Sequence, residues 1–329
     1  TRIDIGAYYY HQELSYGCTD PYAENYNEDA LEDDGSCTYP ENGDYSLSFD
    51  GDDDYVDFGD VLDQSSSFTF SIWASISSND AYLSLASKRD WSESEQYNGW
   101  YIVYDYYTDE IQFDVQNNVP GAGPRAYGTM DLDTWSHYVC VYDAGNSIKL
   151  YQNGDLVSTN TNSIPNTLED NNANFYLGAL EENFNWNFNG QLDEVAFWDE
   201  PLSGDEILAL YNSGQALDAL SNSGNYTSEE NLMGYWTFNT GEGGLLLDHS
   251  GNQNHGSING ADWTLAQPEY SGPKWYVSTS GSDDNDGSED NPFATIQHGL
   301  NTSSDSDTVL VESGTYIENI LWPETNGIK

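Results

Sequence analysis

The stretch Phe68-Thr69-Phe70-Ser71-Ile72-Trp73 decides the fold class, because large apolar and small polar side chains alternate along it up to Trp73. This period of two predicts a β-strand with one buried face. From residue 44 to about residue 268, similar segments are separated by Gly-, Asn-, Asp- and Ser-rich turns such as Asn153-Gly154. Strands at this spacing predict an antiparallel β-sandwich or jelly roll. The other predicted strands are Tyr45–Phe49, Trp100–Tyr104, Glu110–Val115, Trp135–Tyr142, Ile148–Gln152, Phe175–Gly178 and Leu192–Trp198.

One short helix interrupts the strands. Ser203-Gly204-Asp205-Glu206 has the spacing of a capping box, with Ser203 at the N-cap and Glu206 reaching back to it. The residues Ile207–Tyr211 place apolar side chains on one face, and Gly214 is expected to end the helix. We expect this helix to pack against the sandwich and to carry no chemistry.

The charge of the chain excludes several classes of protein. Its 329 residues include 57 acidic and 7 basic ones, and the formal net charge is −50 at pH 7. So few cations exclude a nucleic-acid-binding protein, which needs a basic surface, and argue against binding an anionic membrane through charge. Aromatic residues make up 14% of the chain, which favours a folded, β-rich protein over acidic disorder. Such a surface suits salty water and indicates a marine or other extracellular setting.

The sequence has no membrane-spanning or targeting segment of a familiar kind. No uninterrupted apolar run approaches the roughly 18 residues that predict a transmembrane helix. Thr1–Ile5 has neither the basic start nor the apolar core of a signal peptide, and no initiator Met precedes it. We therefore expect a segment of a longer secreted polypeptide, with no membrane insertion of its own.

Cys18 and Cys37 bracket an acidic stretch, rich in Asn and Tyr, that has almost no apolar residues to form a core. A disulfide is predicted between them, because closing a loop of this size contributes about 3 kcal/mol in the chain-entropy model. It implies an oxidising compartment; the alternative is two unpaired surface thiols. Cys140 lies in a strand pattern and is expected to be a small buried hydrophobic residue.

The same region resembles a short Cys-bracketed motif of secreted multidomain proteins of marine bacteria. The resemblance rests on Gly17–Asn27 and Asp33–Pro40 and covers about 24 residues. In those proteins the motif lies between larger modules. Its carboxylates are of the type that holds calcium, although their spacing is not that of the twelve-residue EF-hand loop.

Seven segments resemble, in the same order, the laminin-G-like, concanavalin A-like family of jelly-roll domains. The resemblance covers about 220 residues and implies the fold. The function stays open, because members of the family include carbohydrate binders, adhesion modules and plain spacers. The segments are Leu47–Val56, Phe68–Trp73, Thr134–Val139, Tyr151–Gly154, Gly190–Trp198, Leu232–Phe238 and Asp248–Gly256.

This resemblance also implies one calcium ion at a sheet edge, held by carboxylate, amide and backbone oxygens. Asp and Asn are common in turns as well, where they hydrogen-bond their own backbone, so each candidate has a structural alternative. Glu194 is expected to support the strand and not the metal. The predicted ligands are Asp50 and Asp53 in the first hairpin, Asp193 in the Leu-Asp-Glu-Val segment, and Asp248, Asn252 and Asn254 in a Gly/Asn turn.

Both ends of the chain resemble right-handed parallel β-helix proteins of the pectate-lyase-like group. The C-terminal match covers about 50 residues and consists of Lys274–Ser278, Gly281–Gly287, Asn291–Leu300 and Asp307–Tyr316. Arg2–Tyr10 resembles the closing strand of a preceding β-helix. Because a solenoid needs several stacked coils, these pieces imply a longer modular array.

The sequence contains no recognisable catalytic arrangement. It has no Gly-x-Ser-x-Gly turn and no Cys-x-x-Cys or His-Glu-x-x-His spacing. His249 and His255 flank a Gly/Asn turn and are expected to be hydrogen-bonded turn residues. Residues 269–329 offer only Lys274 and Lys329 as the basic groups that β-helix lyases use. We therefore expect a non-enzymatic protein.

Aromatic residues in loops and at alternate strand positions are candidates for stacking on sugar rings. The predicted glycan contacts are Tyr97, Trp100, Tyr106 and Trp186. The alternative is aromatic packing inside the sandwich, with Tyr covering surface where Lys is avoided. The same aromatic set includes Tyr101, Tyr104, Tyr107 and Phe188.

The predicted function is that of a non-enzymatic segment of a large secreted adhesin or cell-surface appendage, stabilised by calcium. Its sandwich would contact extracellular glycans or surface proteins, and its β-helices would act as stiff spacers beside other copies or modules of the same protein. Two alternatives stay open: an accessory carbohydrate-binding region of a secreted polysaccharide-degrading enzyme, and a structural repeat of an extracellular fibre. The predicted parts are a closing β-helix strand at 1–15, the disulfide-closed loop at 16–41, the laminin-G-like sandwich at 42–268, and the first coils of a β-helix at 269–329.

Overall fold

The chain forms two compact units, one of residues 1–212 and 216–266, the other of residues 213–215 and 267–329. The segment Arg2–Tyr10, predicted to close a preceding β-helix, lies outside the described residues. The computed structural model describes residues 14–78, 81–91, 96–120, 123–169, 172–180, 186–214, 216–265, 274–283, 285, 287–288, 291–303 and 308–322.

The first unit is built almost entirely of short strands, with one α-helix among its described residues. The helix, α1, is Gly204–Tyr211. The strands are β1 (Tyr45–Asp50), β2 (Tyr55–Asp57), β3 (Phe68–Ile76), β4 (Leu83–Trp91), β5 (Gln96–Asp105), β6 (Glu110–Pro120), β7 (Arg125–Gly128), β8 (Ser136–Asp143), β9 (Ser147–Gln152), β10 (Asp155–Asn160), β11 (Phe175–Leu177), β12 (Asn189–Trp198), β13 (Leu232–Trp236), β14 (Leu245–Leu246), β15 (Gly256–Asn259) and β16 (Asp262–Leu265).

These strands form two eight-stranded sheets that pack face to face. The first sheet has the order β10-β9-β8-β3-β12-β1-β16, and β13 also pairs with β12. The second sheet has the order β14-β15-β2-β11-β4-β5-β6-β7. Neighbouring strands run antiparallel in both sheets. The predicted antiparallel sandwich is therefore confirmed.

Strand β3 lies at the centre of the first sheet, and its alternation sorts its side chains between core and surface. Phe68, Phe70 and Ile72 face the core and are fully buried. The Phe68 ring stacks on Phe197 of β12 with ring centroids 5.1 Å apart. From the opposite sheet, Trp100 of β5 packs against Phe68 and Phe70 with centroids 5.5 and 5.1 Å away. These rings join the two sheets.

Helix α1 covers part of the outer face of the first sheet. It begins with the predicted capping box, in which the Ser203 hydroxyl accepts from the Glu206 N–H and the Glu206 carboxylate accepts from the Ser203 N–H. The prediction that Gly214 ends the helix is wrong. The α-helix ends at Tyr211, because Asn212 adopts a left-handed conformation with φ of 45°. Asn tolerates this conformation better than most residues, and a 3₁₀ turn follows to Gly214.

A buried histidine lies beneath this helix. Nε2 of His137, on β8, is 2.7 Å from the Ser71 hydroxyl of β3. The His137 ring stacks on Trp73 with centroids 5.1 Å apart, and Tyr211 at the end of α1 lies parallel to both rings. Because burial removes the ring from water, it lowers the pKa of His137 to about 3. The imidazole is therefore neutral in the folded protein at all ordinary pH values.

The second unit contains a pair of parallel strands and a helix. Strand β17 (Lys274–Val277) pairs in parallel with β18 (Thr308–Val311). Helix α2 (Ile296–Thr302) begins after Thr295, whose side chain accepts from the His298 N–H. Two parallel strands do not make a solenoid, and the β-helix stays a prediction. Within the described residues, no helix has the length and apolar character needed to cross a membrane.

Protonation of His137 predicts a pH dependence of stability. The unfolded chain takes up a proton at this residue near its usual pKa of about 6.5, whereas the folded protein excludes it. The stabilisation is therefore complete above that pH and is lost as the pH falls toward 3, by at most about 1.4 kcal/mol per pH unit. We expect His137→Gln to remove this part of the slope between pH 6.5 and 5.5, measured by urea unfolding. Equal slopes for the two proteins would contradict the burial argument.

Candidate functional site

The outer face of the second sheet carries polar and aromatic side chains at alternate positions. On β5, Trp100 and Ile102 face the core, so Tyr101 and Val103 face outward. On β6, Phe113 faces the core, and the residues on either side of it point away. The same period of two that builds the core therefore also sets out a second, outward-facing surface.

Four aromatic residues form a cluster at the edge of this face, here called the aromatic platform: Tyr82, Tyr106, Tyr107 and Trp186. The Tyr82 and Trp186 rings stack with centroids 4.7 Å apart and an interplanar angle of 21°. Tyr106 meets Tyr82 edge-on at 5.2 Å and lies 4.0 Å from Tyr107. Tyr107 is 73% exposed, and the other three are partly buried. The platform therefore offers aromatic surface to solvent while its rings support one another.

Next to the platform, three residues form what we call the arginine triad: Tyr101, Asp114 and Arg125. The Tyr101 hydroxyl donates to Asp114 Oδ2 at 2.9 Å, and Arg125 Nε donates to the same oxygen at 2.5 Å. Arg125 Nη2 lies 3.3 Å from the Tyr101 hydroxyl oxygen. Burial, followed by the charge of Asp114, raises the pKa of Tyr101 far above its usual range, so its hydroxyl keeps its proton. The three strands β5, β6 and β7 each supply one member.

The platform and the triad are parts of one surface. Trp186 packs against a small apolar cluster that contains Tyr101, Val103 and Leu180, so this cluster joins one platform ring to one member of the triad. Arg89 of β4 lies over the Tyr101 ring, with its guanidinium carbon 5.1 Å from the ring centre. Exposed rings and fixed polar groups thus lie side by side, which is the composition of a binding surface for a ligand with both apolar and polar faces.

The four predicted glycan contacts have different positions in the structure. Tyr106 and Trp186 belong to the platform, whereas the side chain of Tyr97 lies outside the described residues. Trp100 is corrected: it is only 2% exposed and lies in the core among Phe68, Phe70 and Phe175. Within the wider aromatic set, Tyr104 and Phe188 are buried as well.

Sequence reasoning missed Tyr82, Asp114 and Arg125. Tyr82 precedes β4 and joins the platform only through the fold. Asp114 and Arg125 lie on different strands, and the register that places them opposite each other is a tertiary fact. One signal in the sequence pointed to Arg125, because a basic residue is rare in a chain with 7 Lys and Arg residues.

Two of the six predicted calcium ligands meet in the turn between β1 and β2. Carboxylate oxygens of Asp50, Asp53 and Asp54 lie within 4.8 Å of one another. Asp54 is buried, and its Oδ2 accepts from the Asp50 N–H at 2.8 Å. Burial raises the pKa of Asp54, and the charges of Asp50 and Asp53 add to this effect. The mutual repulsion is of the kind that a bound cation relieves.

Asp193 lies elsewhere, at a bulge in β12 where the pairing with β3 shifts. Its Oδ1 accepts from the Glu194 N–H at 2.8 Å, and the Glu194 carboxylate accepts from the Tyr235 hydroxyl at 2.7 Å. Burial raises the pKa of Asp193 well above its usual range and that of Glu194 to about 8. Asp193 is thus not part of the carboxylate group around Asp50.

The remaining predicted ligands organise the turn at residues 248–256. Asp248 is fully buried, and its carboxylate accepts from the backbone N–H groups of Tyr235, Ser250 and Asn254 at 2.9 to 3.0 Å. The side-chain amides of Asn252 and Asn254 donate to the Met233 carbonyl. These contacts are those of the structural alternative, in which Asp and Asn bond nearby backbone.

A cleft of about 340 Å³ lies beside this turn and includes Asn252 and Asn254 in its lining. Its lining also contains Asp60 and Asp63, which both pair with the buried ammonium of Lys88, at 3.0 and 2.8 Å. The cation of Lys88 therefore compensates the two carboxylates from within the protein.

The Cys18–Cys37 disulfide is present, and the loop it closes docks on the sandwich. Asp20, which is 1% exposed, accepts from the Tyr39 hydroxyl at 2.6 Å and lies 2.7 Å from His255 Nε2. Because His255 Nδ1 accepts from the backbone N–H of Asp248, Nε2 carries the proton and donates to Asp20. The prediction of a hydrogen-bonded turn histidine is confirmed for His255, and so is that of a buried Cys140.

The hydrogen bonds of Asp20 outweigh the cost of its burial. Burial alone would raise the pKa of this carboxyl, but hydrogen bonds from Tyr39, Tyr22 and His255 lower it below its usual range. Asp20 is therefore ionised at neutral pH and serves as the anchor of the loop.

Comparison with known proteins assigns the sandwich to a broad class. Residues 50–208 match the family model of the concanavalin A-like lectin/glucanases superfamily, of the laminin-G type. This part of the first unit is thus similar to concanavalin A-like domains, and its two antiparallel sheets have the same kind of fold. The matched segment includes the platform, the triad and the β1–β2 turn.

Two solved structures are similar to this chain. A Bacteroides ovatus ATCC 8483 protein, provisionally assigned as carbohydrate binding, superimposes with a TM-score of 0.52 at 18% identity over 70% of this chain and 62% of its own. A heptameric SAP-like pentraxin from Limulus polyphemus gives a TM-score of 0.41 at 16% identity over 52% and 83%. The TM-score of 0.52 supports a shared fold with the first of these proteins, and at 18% identity it says nothing about the ligand.

One curated sequence is similar over a short stretch. The uncharacterized protein YwoF of Bacillus subtilis (strain 168) is 41% identical over 59 residues, which are 18% of this chain and 13% of that protein. The chain thus spans only a small part of this relative.

Because His255 holds the disulfide loop through Asp20, we expect its removal to destabilise the protein and to loosen the loop. His255→Ala leaves the buried Asp20 carboxylate without its imidazole partner, and we expect a loss of about 3 kcal/mol in the free energy of unfolding. Hydrogen exchange of residues 18–37 should accelerate as the loop separates from the sandwich. Gln253→Asn is the matched control, since it removes only the exposed contact of Gln253 with Thr19. Equal exchange in the two variants would argue against the anchor.

Proposed function

We propose that the concanavalin A-like sandwich is a glycan-binding module and that its contact surface is the aromatic platform with the arginine triad. The observation that carries this proposal is the platform itself, where Tyr107 remains 73% exposed beside three mutually packed rings. Sugar rings present apolar C–H faces that stack on such surfaces, and their hydroxyls need fixed polar partners nearby. The description of the matched family as lectins and glucanases supports the proposal.

Glycan binding is favoured over glycan cleavage by the location of the perturbed acids. A glycoside hydrolase uses two carboxyl groups that a substrate can reach. The carboxyl pair with raised pKa values, Asp193 and Glu194, lies on the first sheet and not at the platform. Asp193 is only 8% exposed. We therefore propose a module without catalytic activity.

We place this module in a secreted, extracellular protein, for which the disulfide between Cys18 and Cys37 is the structural support. One such protein is a surface adhesin with several modules, in which this sandwich would supply the surface that contacts the glycan. An accessory region of a polysaccharide-degrading enzyme would use the same surface. The two settings differ in what accompanies the module and not in how the platform works.

We also propose that calcium binds in the β1–β2 turn. Asp50, Asp53 and Asp54 supply three carboxylates, and oxygen-only donors of this kind suit Ca²⁺. The Asn189 side chain donates to the Asp50 carbonyl at 2.9 Å and so braces the turn against β12. An ion there would stabilise the hairpin that opens the sandwich.

A glycan array with the full chain tests the binding function. The wild type should bind at least one class of glycan, and Tyr107→Ala should weaken that binding about tenfold, because it removes a stacking ring that contributes little to folding. Tyr26→Ala is the matched control: it removes another exposed ring, in the disulfide loop, and should bind as the wild type does. A folded wild type that binds no glycan, or a Tyr107→Ala variant with undiminished affinity, would refute the proposal.

Thermal unfolding in Ca²⁺ and in EDTA tests the metal site. Ca²⁺ at a hundredfold excess over its Kd should stabilise the wild type by about 2.7 kcal/mol by mass action. Asp53→Asn should remove this gain, and in EDTA it should unfold no earlier than the wild type because it relieves repulsion within the carboxylate group. Asp52→Asn changes an exposed neighbour outside that group and should leave the gain intact. An equal gain for Asp53→Asn would exclude this site.

A further inference from the structure

Basic side chains are rare in this chain, and two of them meet on the outer face of the second sheet. The chain has 7 Lys and Arg residues against 57 acidic ones. Arg89 and Arg125 both contact Tyr101, the former over its ring at 5.1 Å and the latter at its hydroxyl at 3.3 Å. Two of the few basic side chains thus lie close together beside the aromatic platform, although the chain as a whole is strongly acidic.

Arg125 is held in one orientation from below. Its Nε donates to Asp114, and its backbone carbonyl accepts from Asn160 Nδ2 at 3.1 Å. The Asp114 side chain is fully buried, whereas 28% of the Arg125 side chain is exposed. Within the described part of the chain, the triad engages two of the five N–H donors that a guanidinium carries. The group is therefore both fixed and able to donate further hydrogen bonds.

Asp114 is buried beneath Arg125, and we interpret its role as holding the Arg125 guanidinium in place. Oδ1 of Asp114 is buried and has no hydrogen-bond partner in the described structure. Burying a carboxylate with one unpaired oxygen is costly, so the position of Asp114 needs an explanation. Because Asp114 is inaccessible, its effect on a ligand would pass through Arg125. Asp114 is thus a positioning residue, and Arg125 is the contact.

We infer that the ligand of the aromatic platform is an acidic glycan whose carboxylate or sulfate group is bound by Arg125. The inference rests on the proposed function and narrows it to one class of ligand. The planar fork of Arg matches two oxygens of such an anion, and charge-assisted hydrogen bonds are about twice as strong as neutral ones. Arg89 lies beside the triad, with its guanidinium carbon 5.1 Å from the centre of the Tyr101 ring.

The net charge of −50 makes this binding depend on salt in an unusual direction. Repulsion between the acidic protein and an acidic polymer acts over a long range, whereas the contact with Arg125 is local. The Debye length falls from about 8 Å at 0.15 M salt to about 3 Å at 1 M. Salt therefore screens the repulsion more than the contact, and affinity should not fall between 0.15 M and 0.5 M NaCl.

The test compares polymers that differ only in charge. Polygalacturonate is paired with its methyl ester, and a sulfated galactan with its desulfated form; the two pairs distinguish carboxylate from sulfate. The wild-type chain should bind one of the acidic polymers at least tenfold more tightly than its neutral partner. Arg125→Lys keeps the charge but not the fork, and should lose most of this preference.

A second variant guards against misfolding, because Arg125→Gln alone would leave the buried Asp114 carboxylate with the Tyr101 hydroxyl as a donor but without an opposite charge. The double variant Asp114→Asn/Arg125→Gln replaces the ion pair by two amides that can hydrogen-bond each other, and its thermal unfolding shows whether the sandwich is intact. It should bind the acidic and neutral partners within threefold of each other. Lys149→Gln removes a cation from β9 of the first sheet and should retain the full preference.

The outcomes separate the inference from the proposed function. If the wild type binds neutral glycans through Tyr107 and prefers neither acidic polymer, the inference is overturned while the glycan-binding function stands. If neither acidic polymer binds and no glycan binds on the array, both fail. An acidic preference that survives in the folded double variant would exclude Arg125 as the contact.

Discussion

The stacking of Phe68 on Phe197, closed from the opposite sheet by Trp100, is the contact on which the rest of the sandwich depends. Side chains alternate along a strand, so a slip of one residue would bring the polar face of each strand into the core. With Trp100 buried, its neighbour Tyr101 must face outward, and the triad follows from that placement. The surface proposed to bind glycan is thus a consequence of how the core is packed.

A second constraint is the cost of burying charge in a very acidic chain. Several buried ions have a partner at short range: Lys88 has two carboxylates, Asp114 has the guanidinium of Arg125, and Asp20 has the hydrogen bond from the imidazole N–H of His255. Asp193 is treated differently, because burial raises its pKa and favours the neutral acid. Arg125 therefore stands where a buried carboxylate needs an opposite charge, and Lys88 is the buried ion of its own group, with two partly exposed carboxylates around it.

Local patterns in the sequence predicted those features that depend on neighbours along the chain. The strands, the capping box at Ser203 and the loop closed by Cys18 and Cys37 are examples, because each rests on side-chain period, on a helix end or on a short covalent loop. The aromatic contacts were predicted in part. Trp100 was predicted to lie on the surface because tryptophan rings often stack on sugars. Side chains alternate along β5, however, and the position of Trp100 in that alternation places it in the core. Gly214 was assigned as the helix end, where Asn212 ends the helix instead.

By itself the sequence determined an acidic, disulfide-closed, antiparallel sandwich, since composition, cysteine spacing and alternation are all properties of the chain read in order. Only the tertiary structure decided which distant residues meet. It brought Arg125 to Asp114 across a strand pair, gathered Tyr82 and Trp186 from separate loops, and placed Asp248 in a turn away from Asp50. The physical reason is that strand order and register depend on how a whole core packs, and no local segment contains that information.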